Sequence, residues 1–292
     1  MYNGHKKYAL FIGRWQPFHD GHKYMIDKAL EKKENVCVAI RDTEVSASNP
    51  YSLAQRIEMF RRVYGDRVKV IVLPDITSIN VGRNVGYEIN FMEPPPAITE
   101  ISGTQIRAGK KENIPPEVAA YIKLLGTTLL LTGLPCAGKT TLAKRLKDEL
   151  DNHGFKTVHL DADDVRNKLN ADLGFSPEDR KENLRRVAHV AQLFNENGNF
   201  VIASFVCPVE EYRAMMKETI ANFKTVFVKC SLEVCEQRDV KGMYKKAKKG
   251  EIKDFTGVSA VFEEPSCADI VVDTEHSGIE ACVKEIVEKL GI

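Results

Sequence analysis

The chain has 292 residues, 43% of them hydrophobic and 28% charged, with a formal net charge of +1. That length has room for about two ordinary domains, each able to bury a core, and the composition excludes a disordered or fibrous chain. The near-neutral balance lacks the basic excess that binding along a nucleic-acid backbone leaves, so small nucleotides are expected as ligands and no nucleic acid. Seven cysteines without a C-x-x-C pair make neither a disulfide framework nor a zinc site, and reduced thiols are expected. No apolar run reaches the ~18 residues of a membrane span and the N-terminus has no apolar signal core, so a cytoplasmic chain with no membrane partner is expected.

In chain order, the apolar run at residues 7–12, ending in Gly13, reads as a strand, and residues 23–32 as an amphipathic helix. The turn between them, Arg14-Trp15-Gln16-Pro17-Phe18-His19-Asp20-Gly21-His22, delivers two histidines to the helix entrance. A second strand is expected at 35–40, a helix at 54–64 and a third strand at 69–73. This β-α-β-α-β order implies a parallel sheet with ligands at the carboxyl ends of its strands. As in the nucleotidyltransferases that this H-x-G-H spacing resembles, imidazole donors beside a helix start would stabilise the charge that builds on the α-oxygens and the leaving pyrophosphate when the α-phosphorus of a nucleoside triphosphate is attacked. Gly21 would let the triphosphate approach the backbone.

His19-Asp20-Gly21-His22 is the H-x-G-H signature of the nucleotidyltransferase superfamily, which includes cytidylyltransferases, and the longer G-R-W-Q-P-F-H-D-G-H resembles the form in nicotinamide mononucleotide adenylyltransferases. Ile101-Ser102-Gly103-Thr104-Gln105-Ile106-Arg107 resembles the second signature, I-S-x-T-x-x-R. The resemblance implies a Rossmann-like nucleotidyltransferase domain over residues 1–125 that joins ATP or CTP to a phosphorylated acceptor and releases pyrophosphate. His19 and His22 would be catalytic, with nucleotide contacts from Gly13, Arg14, Gly21, Arg56, Ser102, Thr104 and Arg107. The segment between Leu73 and Glu100 is short for this family and carries Gly82-Arg83-Asn84-Val85-Gly86, where Arg83 would contact the acceptor phosphate; its G-R-x-x-G is similar to an element of ATP sulfurylases.

Ile114-Pro115-Pro116 and a closing helix at 117–124 lead to a boundary near Gly126. A buried strand at 127–132 follows, then Gly133-Leu134-Pro135-Cys136-Ala137-Gly138-Lys139-Thr140-Thr141, which fits the phosphate-loop pattern G-x-x-x-x-G-K-[ST], then a helix at 141–150. Backbone N–H groups and the helix start would face the β- and γ-phosphates, Lys139 adding charge and Thr140 a hydroxyl for Mg²⁺. A strand at 157–160 ends in Asp161-Ala162-Asp163-Asp164, carboxylates placed to order Mg²⁺ water and to accept the proton of an attacking hydroxyl.

From here the second half resembles the adenylylsulfate kinases: D-A-D-D-V-R at 161–166, L-N-A-D-L-G-F-S at 169–176, D-R-K-E-N-L-R-R-V at 179–187, the run 235–247 and F-T-G at 255–257. The resemblance implies a P-loop kinase domain over residues 126–292 that moves the γ-phosphoryl group of ATP to the 3′-hydroxyl of adenylylsulfate with Mg²⁺. Asp161, Asp163 and Lys139 would be catalytic, and Gly133, Ala137, Gly138, Lys139, Thr140, Thr141 and Arg238 would hold ATP. Arg166, Phe175, Arg180, Asn183 and Phe255 would hold the acceptor, Thr140 and Asp161 would meet the metal through water, and residues 238–253 would form a lid. Family resemblance also implies a homodimer. Three departures lie on the acceptor side: Asp164, Cys207 in place of a family serine, and residues 258–263 after F-T-G. They leave open a kinase acting on another nucleoside-diphosphate-linked compound, for example a cytidylyl one made by the first domain, or a catalytically silent binding or dimerisation domain. The expected whole is a two-domain α/β enzyme, each domain a parallel sheet flanked by helices.

Overall fold

A computed structural model describes residues 6–80, 86–92, 94–107 and 113–292. The chain divides into two compact units, Met1–Ile122 and Lys123–Ile292. Both are α/β units built on parallel sheets, as the element order implied.

In the first unit β1 (Tyr8–Gly13), α1 (Asp20–Glu31), β2 (Asn35–Asp42), α2 (Leu53–Tyr64) and β3 (Val68–Pro74) make a three-stranded sheet of order β1-β2-β3. The short helices α3 (Pro96–Thr99) and α4 (Gly103–Arg107) and the closing helix α5 (Pro116–Leu124) follow. Central β2 buries Val36 through Ile40 continuously, the pattern of a parallel strand covered on both faces. α2 starts in a capping box: Ser52 Oγ accepts from Gln55 N and Gln55 Oε1 accepts from Ser52 N, a device worth about 1 kcal/mol. Phe18, Phe60, Trp15 and Tyr64 form an aromatic cluster, with Phe18 4.6 Å from Phe60 and Trp15 edge-on to Phe60 at 5.3 Å. The cluster forms the floor beneath the two histidines. α1 begins three residues earlier than the apolar spacing indicated, because His19 takes the extended N-cap conformation. His22 is therefore a first-turn residue. Arg83, the expected acceptor contact, lies outside the described residues.

In the second unit β4 (Thr128–Thr132), α6 (Lys139–Asn152), β5 (Thr157–Asp161), α7 (Ala162–Asn167), α8 (Pro177–Glu196), β6 (Phe200–Ser204), α9 (Glu210–Thr219), β7 (Phe223–Lys229), α10 (Leu232–Arg238), α11 (Met243–Lys248), β8 (Ile270–Asp273) and α12 (Ile279–Leu290) follow in order. The five parallel strands lie in the order β5-β6-β4-β7-β8, so β4 is central and wholly buried. One face of the sheet packs Leu130, Val201 and Ala203 against Leu184, Val187 and Met216, each worth about 1.5–3 kcal/mol of burial for the larger side chains. α6 starts at Lys139, two residues before the apolar run, because Gly138 caps it in the left-handed region (φ 93°). Lys139 and Thr140 thus stand on the first helical turn, at the carboxyl end of the central strand. All seven cysteines are unpaired, and five are buried.

Candidate active sites

The phosphate loop leaves β4 through Gly133, where a Cβ would fall 2.5 Å from the Val228 carbonyl oxygen, so no side chain fits. Lys139 is buried and folds back over the loop, donating to the carbonyls of Gly133 (2.9 Å) and Leu134 (2.6 Å). Burial lowers its ammonium to about 8, while Asp161 and Asp163 pull the other way. Thr140 Oγ1 donates to Asp161 Oδ2 at 2.8 Å, Ser204 Oγ donates to the same oxygen at 2.9 Å, and Asp163 N donates to Oδ1 at 3.0 Å. Burial raises the Asp161 pKa, but these three donors outweigh it and hold the carboxyl below its ordinary value. Asp161 also caps α7, and Thr141 is exposed on the first turn of α6.

Asp163 stands differently. Its carboxylate is exposed and paired with Lys241, from the turn between α10 and α11. Arg238, expected to reach phosphates, is turned elsewhere: Nη2 donates to the Thr274 carbonyl at 2.6 Å, with Nη1 3.4 Å from the Thr274 hydroxyl. Thr274 Oγ1 in turn donates to the Ala137 carbonyl at 2.8 Å, so Arg238 braces the phosphate loop from behind.

Beside the loop opens a cavity of about 710 Å³, a volume suited to a small nucleotide. Arg166, Phe175, Arg180, Asn183 and Phe255, the five expected acceptor residues, all line it. Pro135 of the phosphate loop and Ala162, next to Asp161, line its inner end. The Arg166 guanidinium lies 4.5 Å from the Phe175 ring centroid and donates to the Gly174 carbonyl at 2.7 Å. Arg180 Nε donates to the Phe175 carbonyl at 2.9 Å and Nη1 to Thr256 Oγ1 at 3.3 Å, while Nη2 donates to the Asp254 carbonyl. Burial lowers the Arg166 pKa, and the Arg180 charge lowers it further; two guanidinium groups facing one cavity favour an anion between them. Asn183 is buried and accepts from Asn170 Nδ2 at 3.0 Å.

In the first unit a smaller cavity of about 180 Å³ is lined by residues 14–16, 19, 22, 103, 104 and 107. His19 and His22 stack at 3.6 Å, and Trp15 meets His22 edge-on at 4.7 Å. Burial lowers His19 to about 4, and burial with the neighbouring His19 puts His22 well below its ordinary value, so both rings are neutral near pH 7. Their Nδ1 atoms are buried and have no hydrogen-bond partner among the described residues. Arg107 Nη2 donates to Thr104 Oγ1 at 3.0 Å and Nη1 donates to the Gln16 carbonyl, closing the second signature against the turn after β1. Ser102 Oγ accepts from Gln105 N at 3.2 Å.

The comparisons with known proteins divide at the same place. A family model described as cytidylyltransferase-like matches residues 10–93, and one described as adenylylsulphate kinase matches residues 125–273. The chain belongs to the adenylylsulfate kinase family. A probable adenylyl-sulfate kinase of Bacillus subtilis is 46% identical over 162 residues, 55% of this chain and 82% of the relative. The adenylyl-sulfate kinase of Paraburkholderia xenovorans is 46% identical over 166 residues, 56% of this chain and 93% of the relative. The solved structure of the Mycobacterium tuberculosis APS kinase CysC in complex with AMPPNP and APS is 38% identical, with a TM-score of 0.56, covering 57% of this chain and 99% of that one.

Against the adenylylsulfate kinase pattern, the three departures separate. Asp164 is exposed and paired with Lys168 at 3.0 Å, and it does not line the larger cavity. Ser259 Oγ accepts from Phe255 N at 3.0 Å, which shapes the turn carrying that ring. Cys207 does line the cavity, and burial pushes its thiol up to about 12. Of these three, only Cys207 lines the cavity, and Ala162, where the family pattern D-G-D-N has glycine, lines it as well.

Several assignments made from the sequence shift in the first unit. Arg56 is fully buried and does not line this cavity; it donates to the carbonyls of Arg14 (3.0 Å) and Arg41 (2.6 Å), tying together the turns after β1 and β2. A Cβ on Gly21 would meet the His19 ring at 3.0 Å, and one on Gly13 the Trp15 indole at 2.9 Å, so these glycines make room for side chains of the site. Trp15 and Gln16 line the cavity without having been assigned, although both lie inside the first signature. In the kinase unit Ser204, His159 and Thr274 were missed. Strand register alone brings Ser204 to Asp161, and no local pattern marks it.

Proposed function

We propose that residues 126–292 transfer the γ-phosphoryl group of ATP to the 3′-hydroxyl of adenylylsulfate, giving 3′-phosphoadenylylsulfate and ADP. The observation that carries this reading is the shared cavity: two guanidinium groups and two phenylalanines stand in one space that opens onto the phosphate loop. Arg166 and Arg180 hold the phosphosulfate, and Phe175 and Phe255 hold the base, stacking contributing about 1–3 kcal/mol per base. Lys139 exchanges its two loop carbonyls for phosphate oxygens. Asp163, at the surface, takes the proton of the attacking hydroxyl once Lys241 is displaced.

The donors fit magnesium. Thr140 Oγ1 and Asp161 Oδ2 are hard oxygens 2.8 Å apart, and among the described residues no group of three His, Cys, Asp or Glu forms a cage; Mg²⁺ takes one or two protein oxygens and keeps water. When bound, the ion would be held by Thr140 and Asp161 through water and would offset the negative charge of the triphosphate. Asp161, hydrogen-bonded and readily ionised, serves the metal side and not the proton. ADP release on adding adenylylsulfate to protein and MgATP tests the reaction, and no turnover from folded protein refutes it.

The first unit is read as a nucleotidyltransferase, with His19, His22, Thr104 and Arg107 around the phosphates of ATP or CTP. Pyrophosphate release in a screen of both nucleotides with phosphorylated acceptors tests this, and release that survives His22→Ala removes the assignment. One observation favours a second reading of the kinase. Cys207, where the family has serine, lines the acceptor cavity, so the acceptor could be a nucleotidyl compound made by the first unit; a higher kcat/KM on such a compound than on adenylylsulfate would establish it.

A further inference from the structure

Beside Asp161 stand two side chains that belong to no motif, Ser204 and His159. β5 and β6 pair in parallel with Asp161 opposite Ser204, and His159 precedes Asp161 by two residues on the same strand. The period of two puts all three side chains on one face of the sheet. Ser204 Oγ donates to Asp161 Oδ2 at 2.9 Å, and His159 Nε2 lies 2.9 Å from Ser204 Oγ. His159 Nε2 is 3.9 Å from Asp161 Oδ2, too far for a direct bond, so its influence passes through the serine. The His159 and Asp161 side chains are each only 12% exposed, so water is a poor substitute for either partner.

Proton bookkeeping fixes the direction of the chain. An ionised carboxylate only accepts, so the single Ser204 hydroxyl proton goes to Asp161. The serine oxygen must then accept from the ring, which requires hydrogen on His159 Nε2. We propose that His159 is a positioning residue for phosphoryl transfer: by occupying the Ser204 lone pair it commits the serine proton to Asp161 and holds that carboxylate toward Thr140 and the phosphate loop. Without the ring, the serine hydroxyl is free to turn away, and Asp161 keeps two donors where it had three. His159 is not among the residues that line the larger cavity. The inference rests on the kinase reading of this site.

Two measurements test it. In the nucleotide-free full chain, long-range ¹⁵N–¹H spectra show His159 with hydrogen on Nε2; a ring with hydrogen on Nδ1 alone overturns the proposal whatever the acceptor proves to be. In ADP-forming assays His159→Leu and Ser204→Ala each lower kcat about 10-fold with KM for ATP changed less than about twofold, and the double variant loses no more than either single one. His159→Gln, whose amide can donate to the same hydroxyl, recovers kcat to within about threefold of the original. Losses that multiply in the double variant, or a glutamine variant no better than leucine, overturn the proposal. Should His159→Leu not fold, Ser204→Ala still decides: the Nε2–H preference of the ring is lost if the serine sets it, and its persistence counts against the relay. Complete absence of ADP formation from the unaltered chain would strike the kinase reading, and the spectra would stand apart from it.

Discussion

Arg180 holds two walls of the larger cavity together, and replacing it with lysine separates that role from charge in the proposed binding of adenylylsulfate. Its guanidinium reaches the Phe175 carbonyl on one side and both Thr256 Oγ1 and the Asp254 carbonyl on the other, across 74 to 76 residues of sequence. A lysine keeps the positive charge but offers no planar fork, and from one atom it can serve one wall at a time. Two of the three bonds are lost, at about 1 kcal/mol each for partly exposed donors, so acceptor binding weakens by about 2 kcal/mol, or about 30-fold. In an ADP-forming assay Arg180→Lys should raise KM for adenylylsulfate about 30-fold while KM for ATP stays within about twofold, because no bond from Arg180 reaches the phosphate loop. Equal rises in both constants, or an unchanged acceptor KM, would refute the picture of Arg180 as the tie between the walls.

Phe175 is 64% exposed, so Phe175→Ala should leave the thermal midpoint almost unchanged and raise acceptor KM between about 5- and 150-fold, the worth of one stacked base; differential scanning with steady-state kinetics checks both. Arg56→Ala strips two close carbonyl partners of their buried donor and should destabilise the first unit by about 2–4 kcal/mol, read from the urea midpoint of Trp15 fluorescence, since Trp15 is the only tryptophan. The same signal follows the buried histidines. Their folded pKa values lie below the unfolded value near 6.5, so the unfolded chain binds more protons, and stability is complete above that pH and falls as pH drops toward 4. The urea midpoint should therefore decline between pH 7.5 and 5, and decline less in His19→Gln; identical slopes in the two proteins would remove His19 as the cause.

How far the sites could be read from the chain depended on whether a residue acts where it stands or through distant partners. The placement of Lys139, Thr140 and Asp161 beside one loop was legible because short, rigid spacings around a strand end and a helix start dictate their positions. Arg56 and Arg238 stand apart for the opposite reason. Both are arginines at plausible spacings, but Arg56 Nη1 is engaged by the carbonyls of Arg14 and Arg41, and Arg238 Nη2 by that of Thr274, all delivered by other loops. A side chain of five donors is captured by whatever unsatisfied backbone the fold leaves near it. His159 and Ser204 were hidden because their meeting depends on the alignment of strands 43 residues apart, and alternating apolar patterns do not specify which polar side chains stand opposite. Helix starts were misplaced by two or three residues wherever the first turn was polar and functional, at His19 and at Lys139, since the apolar stripe begins only after the site has been built.

Thr274 stands one residue beyond the last strand and one beyond the stretch that matches the kinase family model, yet its hydroxyl reaches Ala137, 137 positions earlier. α12, still farther along, packs on α6, the helix that carries Lys139. A fragment trimmed to the homologous stretch would keep every motif residue and lose the strut beneath them. Residues 274–290 thus brace the phosphate loop and its helix from outside the matched stretch, and a chain cut at Asp273 should lose that brace together with the apolar cover that α12 gives to α6 and β8.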